Sequence, residues 1–191
     1  MSAVDSPDPG ARREAADNLS TPPEALALLA KDKNRWVRHG VAQNPRTPPE
    51  ALARLVEDKD WRVRWGVAVN PDTPAEILFG LALDEDGDVR MKTAMNPSTP
   101  VDVLVRLAED EYVDVRMKTA ANPNTPPEAL TLLAEDEDGM VRWGVAVNPD
   151  TPAEILFGLA LDDRDSGVRE AAYNNSGLPE HMRAMVALGG D

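Results

Sequence analysis

Side chains that could act as a nucleophile, a general base or a metal ligand are scarce in this chain of 191 residues. There is no cysteine, which excludes disulfides, thiol catalysis and thiolate-held zinc or iron–sulfur sites. The two histidines, His39 and His181, are far apart in sequence and belong to no nucleophile motif. The sequence also has no glycine-rich phosphate loop. We therefore expect a protein that is not an enzyme and that holds no cofactor.

Carboxylates are abundant, but they are concentrated in short acidic runs at residues 84–88, 135–139 and 162–165. These runs are shorter than the roughly twelve residues of an EF-hand calcium loop and lack its bidentate glutamate. In exposed turns nothing would raise a carboxylate pKa toward a catalytic value. We predict helix N-caps and a solvated acidic edge, with no metal site.

The charge balance limits the classes of partner. With 34 acids against 20 bases, the formal net charge of −14 opposes binding to phosphate backbones and to anionic lipid. The N-terminal residues lack the basic and apolar regions of a signal peptide, and no long apolar run follows. We expect an intracellular, cytoplasmic protein that does not contact a membrane.

One stretch, VRWGVAVNPDTPAEILFGLALD, occurs twice without change, at residues 63–84 and 141–162. The two copies start three periods apart, and each period is twenty-six positions long. Asn-Pro steps recur with this period, and Asn18 and Asn174 extend the register at either end. We predict one continuous domain with a tail and capping half-repeat at 1–17, six repeats at 18–173 and a capping repeat at 174–191. One residue is inserted near 165–167. The five Asn-Pro steps begin at Asn44, Asn70, Asn96, Asn122 and Asn148.

Each repeat contains two predicted helices. Thr47 is the expected N-cap of the first, with Pro48 at the first helical position and Glu50 closing a capping box. The second helix, such as 63–69, is expected to be shorter, and the following Asn-Pro stops it because proline disfavours helix in the residue before it. Helices of about two turns are not stable alone, so neighbouring repeats must bury them. The pattern predicts an all-α solenoid of about six two-helix repeats. The equivalent threonines are Thr21, Thr73, Thr99, Thr125 and Thr151.

The repeat pattern N-P-x-T-P-x-E-x-L-x-x-L-A-x-D-(x)4-V-R-x-x-x-A resembles the leucine-rich repeat variant family over nearly the whole chain. That resemblance implies a right-handed solenoid with one layer of longer α-helices and one of shorter α or 3-10 helices. The Asp…Val-Arg half is also similar to HEAT repeats. Some family members carry a cysteine cluster that holds iron and sulfur, but this chain has no cysteine.

An arginine recurs at one position of every repeat, and we call these residues the arginine ladder. A residue that does not vary between repeats is typical of stacking geometry. We therefore predict a structural role, in which each arginine pairs with the acidic turn before it or with backbone carbonyls. Ligand contact is the alternative. The ladder comprises Arg38, Arg64, Arg90, Arg116, Arg142 and Arg169, and the acids before them are Asp32, Asp58, Asp84, Asp110, Asp136 and Asp162.

The position after each ladder arginine and the position four residues later form a second row, which we call the apolar row. It lies on one helical face and turns polar at both ends of the array, at Gln43 and Glu170. A helix between two neighbours needs a wide apolar arc, but a polar end favours a binding stripe over a core. Gly40, Gly66 and Gly144 recur on these helices, where we expect a close neighbouring backbone. The apolar row comprises His39, Trp65, Val69, Met91, Met95, Met117, Trp143 and Val147.

Three functions remain open at this point. The first is a non-catalytic scaffold that binds a protein or peptide on a curved face lined by the second helices, since tryptophan and methionine suit adaptable apolar contacts. The second is a nucleic-acid-binding protein similar to HEAT-like DNA glycosylases, because ten of the 20 bases lie in or beside the second helices. The third is a structural module that self-associates through its apolar end repeats. The acid excess opposes the second function.

Overall fold

The computed structural model describes residues 3–189. Residues 1–2 and 190–191 of the two predicted caps lie outside the described residues. The chain divides into two compact units, Met1–Thr99 and Pro100–Asp191. All regular structure between residues 3 and 189 is helical, which confirms the predicted all-α repeat class.

The helices follow one another with the period of the sequence. After a 3-10 turn at Ala3–Asp5, the even-numbered helices α2 to α12 are the first helices of the repeats, and the odd-numbered helices α1 to α13 are the second helices. The helices are α1 (Pro9–Asp17), α2 (Pro23–Leu29), α3 (Arg35–Gln43), α4 (Pro49–Leu55), α5 (Trp61–Val69), α6 (Ala75–Leu81), α7 (Gly87–Met95), α8 (Val101–Leu107), α9 (Val113–Ala121), α10 (Pro127–Ala134), α11 (Gly139–Val147), α12 (Ala153–Asp162), α13 (Ser166–Asn174) and α14 (Glu180–Gly189).

In the first five repeats the relative lengths of the two helices are opposite to our expectation, whereas in the sixth the first helix has 10 residues and the second has 9. The first helix α4 has 7 residues, whereas the second helix α5 has 9 residues and is α-helical throughout. Helix α5 starts early because the carboxylate of Asp60 accepts the backbone N–H of Arg62 and caps the helix ahead of Trp61. It ends at Val69, before Asn70-Pro71, as the proline rule predicts.

The predicted threonine cap is wrong. Pro48 occupies the N-cap position of α4 and Pro49 its first turn, and no side chain caps the helix. The hydroxyl of Thr47 instead donates to the carbonyl of Val41 at 2.5 Å, where it adds a second donor to an acceptor that already takes the backbone N–H of Asn44 at 3.1 Å. Thr21, Thr73, Thr99, Thr125 and Thr151 make the same bond, each to the carbonyl six residues earlier.

Second helices stack directly on second helices, α1 to α7 in the first unit and α9 to α13 in the second. Small residues make this close approach possible. A Cβ on Gly66 would lie 2.8 Å from the Cβ of Ala42, and a Cβ on Gly144 would lie 2.9 Å from the carbonyl oxygen of Met117. The predicted close backbone is confirmed at Gly144, whereas the nearest atoms to Gly40 and Gly66 belong to side chains of the neighbouring helix. Leucines of the first helices and valines of the second fill the core of each unit.

Buried asparagines bridge consecutive repeats within each unit. The side-chain amide of Asn70 donates to the carbonyls of Ala42 and Asn44, both at 2.8 Å, and its oxygen accepts the N–H of Asp72 at 3.0 Å. The period reveals these asparagines, but the Asn-Pro pattern by itself predicts only a helix stop there. The same pair of amide bonds is made by Asn44, Asn96, Asn148 and Asn175.

The inserted residue lies earlier than predicted. Asn175, and not Asn174, takes the buried position of the last repeat, while Asn174 is exposed. Arg142 pairs with Asp163 instead of Asp162, so the insertion precedes Asp163 and does not fall near 165–167. It extends α12 to 10 residues, although the same ten letters in the earlier repeat form the 7-residue helix α6.

Candidate binding surface

The second helices carry the apolar row on their outward side. His39, Trp65 and Met91 of the first unit and Met117 of the second are half-buried. Val69, Met95 and Val147, which lie four residues later in their repeats, are open to solvent, and so is Trp143. Their exposed fractions are 37% for Val69, 45% for Met95, 40% for Trp143 and 39% for Val147.

In the first unit the row begins with stacked rings. The imidazole of His39 lies parallel to the indole of Trp65, with ring centroids 5.9 Å apart and an interplanar angle of 12°. The ring of Trp36 meets His39 edge-on at 6.0 Å, and the ammonium of Lys92 lies 5.4 Å from the Trp65 ring. Burial, followed by repulsion from Arg13, lowers the pKa of His39, so the imidazole stays neutral at pH 7. Trp65 also packs against the core of its unit.

In the second unit the row borders a shallow groove. Met117 packs against the core of this unit, whereas Trp143 and Val147 reach the surface. A groove of about 310 Å³ lies beside Val147 and is bordered by Ala171 and Asn174. An apolar side chain of a partner could enter the groove and contact Val147.

Four ladder arginines bind a carboxylate of the following repeat, which corrects the predicted pairing with the acidic side chains before them, whereas backbone carbonyls of the turn before, the other predicted partner, do accept from them. Arg38 forms a bidentate pair with Asp58, with Nε–Oδ2 at 2.5 Å and Nη2–Oδ1 at 2.9 Å. The turn before contributes only its backbone, as the carbonyl of Asp32 accepts from Nη1 at 2.8 Å. The equivalent carboxylate pairs are Arg64–Asp84, Arg116–Asp136 and Arg142–Asp163.

The burial of these pairs sets their ionisation. Burial alone would raise the pKa of Asp58, but hydrogen bonds from Arg38 and from the N–H of Asp60, together with the charge of Arg38, hold the pKa below its usual value. The hydrogen bond to Asp58 outweighs burial at Arg38 and raises the arginine pKa. Both members of the pair stay charged at neutral pH, and the guanidinium of Arg38 already donates to Asp58 and to backbone carbonyls. This arginine is therefore not free to contact a phosphate.

Comparison with known proteins supports the repeat assignment. A family model described as leucine rich repeat variant matches residues 35–60 and 113–138. The solved structure of a leucine-rich repeat variant with a novel repetitive structural motif is 31% identical, with a TM-score of 0.68, and the match covers 97% of this chain and 79% of that chain. The chain belongs to the leucine-rich repeat variant family.

Two further solved structures match this leucine-rich repeat variant more weakly. An engineered protein is 17% identical with a TM-score of 0.40, over 98% of this chain and 96% of its own. A designed armadillo repeat protein in complex with the peptide (KR)4 is 16% identical with a TM-score of 0.35, over 97% of this chain and 95% of its own. No curated protein sequence matches.

The acidic turns of this leucine-rich repeat variant cap helices. Asp60, Asp86, Asp138 and Asp165 each accept a backbone N–H at the start of a second helix, which confirms the predicted N-cap role. Across residues 3–189, no three histidine or acidic side chains are grouped so that they could hold a metal ion. None of the helices described there combines the length and the apolar character needed to cross a membrane.

The ends of the ladder in this leucine-rich repeat variant differ from the prediction. Arg12, which we had not included, pairs with Asp32 at 2.5 Å. Its place one full period before Arg38 was the signal that could have revealed it. At the other end, Arg169 donates to the backbone carbonyl of Asp163 at 2.6 Å. Within the ladder, Arg90 donates to the carbonyl of Asp84 at 2.7 Å, as Arg38 does to the carbonyl of Asp32.

The C-terminal helix α14 packs on α12 through one side only. Met182 and Val186 pack against the core of the second unit, whereas Met185 and Leu188 are exposed. Self-association through this end repeat stays a prediction.

Proposed function

We propose that this leucine-rich repeat variant is a non-catalytic scaffold that binds an extended segment of a partner protein across its second helices. The observation that carries the proposal is the exposed part of the apolar row, Val69 and Met95 in one unit and Trp143 and Val147 in the other. Val69, Met95 and Val147 hold the same position of their repeats and Trp143 lies one turn before it, and apolar side chains grouped on one surface usually mark an interaction site. Tryptophan and methionine are also enriched where partners bind.

The spacing of the row within each unit suits an extended peptide. Stacked helices lie about 8–10 Å apart, so one row position recurs at about that interval. An extended chain advances about 3.3 Å per residue, so about every third residue of a peptide running across the helices would meet a row position. In the first unit, Val69 on α5 and Met95 on α7 would contact side chains about three residues apart. In the second unit, Trp143 and Val147 lie one turn apart on α11 and would contact the same part of such a peptide.

The arginine ladder supports a protein partner over nucleic acid. Ten bases in or beside the second helices favoured a phosphate-binding strip, but Arg38, Arg64, Arg116 and Arg142 are held by carboxylates. Counterion release from DNA requires free cations, which these pairs remove from the strip. A location in the cytoplasm remains a prediction.

The test is a selection from a displayed random-peptide library followed by affinity measurements on purified protein. We expect an enriched peptide to bind the wild type and to lose at least about tenfold in affinity for Trp143→Ser/Val147→Ser, with unchanged helical circular dichroism. Trp65 is a poorer probe because it packs against the core.

The matched control is Leu132→Ser, since Leu132 is an equally exposed apolar residue on the first helix α10 of the same unit. This variant should bind the peptide as the wild type does. A selection that enriches no peptide, or a control that loses as much affinity as the row variant, would refute the proposal.

A further inference from the structure

A cationic cleft lies between the turns that precede α3 and α5, in the first unit. Its volume is about 490 Å³, and it is a separate feature from the apolar row. Its described lining includes five cations and a single carboxylate, that of Asp60. The cations are Lys33, Arg35, Arg38, Lys59 and Arg62.

Most of the positive charge in the cleft is uncompensated. Arg38 is neutralised by Asp58 as part of the ladder. Arg35 and Arg62 share the carboxylate of Asp60, at 3.3 Å and 3.6 Å. Lys33 and Lys59 form no ion pair within the described residues. Two arginines therefore share one carboxylate, and two lysines have no paired carboxylate within residues 3–189.

The cleft is an exception to the charge of the chain. Residues 31–69 contain nine Lys and Arg and five Asp and Glu, a net charge of +4, whereas the whole chain carries −14. The position held by Lys33 and Lys59 is Glu85, Glu111 and Glu137 in the next three repeats. Since the repeat accepts glutamate there, the fold does not require these lysines.

We infer that this cleft binds a short acidic segment of a peptide, through the ammonium groups of Lys33 and Lys59. The inference rests on the proposed function in assigning the segment to a peptide partner, and it adds the charge of that partner. Arg62 lies three residues before Trp65 on α5, so a peptide on the apolar row could place its carboxylates in the cleft. Such ammonium–carboxylate pairs give specificity and a faster association rate.

The surroundings of the cleft favour a peptide over a nucleic acid. The acidic turn at residues 84–88 of the same unit follows within one repeat and repels an anion that extends further. A nucleic acid strand carries a phosphate on every nucleotide, whereas a peptide can place a few carboxylates next to neutral residues. The cleft is therefore complementary to a short acidic stretch.

The test uses a fluorescein-labelled hexaglutamate peptide, which lacks apolar anchors and so probes the cleft without the apolar row. We expect salt-sensitive binding in fluorescence anisotropy, and a rise in Kd of at least about tenfold for Lys33→Glu/Lys59→Glu. That variant copies the glutamate of other repeats and should keep the wild-type circular dichroism. The control is Arg46→Glu/Arg106→Glu, which changes the net charge equally at two exposed positions outside the cleft and should change Kd by less than about twofold.

Three results would overturn the inference. One is no binding of hexaglutamate at low salt, or equal losses in the test and control variants. Another is hexathymidylate binding as tightly as hexaglutamate through the same lysines, which would assign the cleft to nucleic acid. The third is a salt-sensitive oligomer in light scattering that Lys33→Glu/Lys59→Glu makes monomeric, which would assign it to acidic turns of a second copy. Failure here with retained peptide binding at Trp143 and Val147 would leave the proposed function standing.

Discussion

Replacement of Asn70 by alanine tests how the repeats are joined. The side chain is fully buried and donates to the carbonyls of Ala42 and Asn44, so the variant loses two hydrogen bonds between repeats, worth about 1 kcal/mol each. It also loses the local bond from the N–H of Asp72, an exposed residue at which water can replace the lost acceptor. The Asn44 carbonyl keeps the N–H of Thr47 as a donor. The Ala42 carbonyl has no such substitute, because residue 45 is proline and lacks an N–H.

A buried carbonyl left without a donor costs a further 1–3 kcal/mol or so. We therefore expect Asn70→Ala to lower the free energy of unfolding by about 3–5 kcal/mol, a large share of the roughly 5–15 kcal/mol typical of a domain. The assay is urea unfolding followed by far-ultraviolet circular dichroism. Hydrogen exchange should locate the faster-exchanging amides in α3 and α5, on either side of the lost bonds.

The control is Asn174→Ala, which removes an exposed asparagine and should change stability by no more than about 0.5 kcal/mol. If Asn70→Ala cost less than about 1 kcal/mol, or no more than Asn174→Ala, the asparagine bridges would not be a main link between repeats.

Three further predictions concern the stacked helices. The pKa of Asp58 is lowered in the folded state, so its contribution to stability is complete above the unfolded pKa and is lost as the pH falls through the folded pKa. The melting temperature should therefore drop as the pH falls below the usual aspartate pKa of about 3.9, and less steeply for Asp58→Asn. Gly144→Ala should destabilise the fold, because the added Cβ would lie 2.9 Å from the backbone of the neighbouring helix. Gly158→Ala adds a Cβ in open space and should raise the free energy of unfolding by about 0.5–1 kcal/mol. Equal effects of the two variants in thermal unfolding would contradict the close approach at Gly144. Ala68→Pro should lower the free energy of unfolding by about 3 kcal/mol or more and split the unfolding into two transitions, while Ala187→Pro should only fray α14. A single sharp transition for both variants would argue against stability that depends on neighbouring repeats.

The arginine ladder illustrates why sequence position misled the assignment of partners. Arg38 is six residues from Asp32 and twenty from Asp58, and proximity along the chain favoured Asp32. Stacking of successive repeats brings the more distant carboxylate within 2.5 Å and leaves the nearer residue to offer only its carbonyl. The threonine cap failed for a local reason, since the Thr47 hydroxyl donates to a carbonyl six residues earlier and Pro48 takes the N-cap position.

The strict sequence period, the Asn-Pro stops and the apolar spacing were sufficient to predict an all-α array of two-helix repeats, because backbone preferences and amphipathic faces are local properties. The identical ten letters at residues 75–84 and 153–162 show where local information ends, since they form helices of 7 and 10 residues. Only the tertiary structure decided which carboxylate each arginine binds, which half of the apolar row is open to solvent, and that Lys33 and Lys59 line one cleft. Those features depend on distances between residues in different repeats, which the stacking of helices determines and no single repeat encodes.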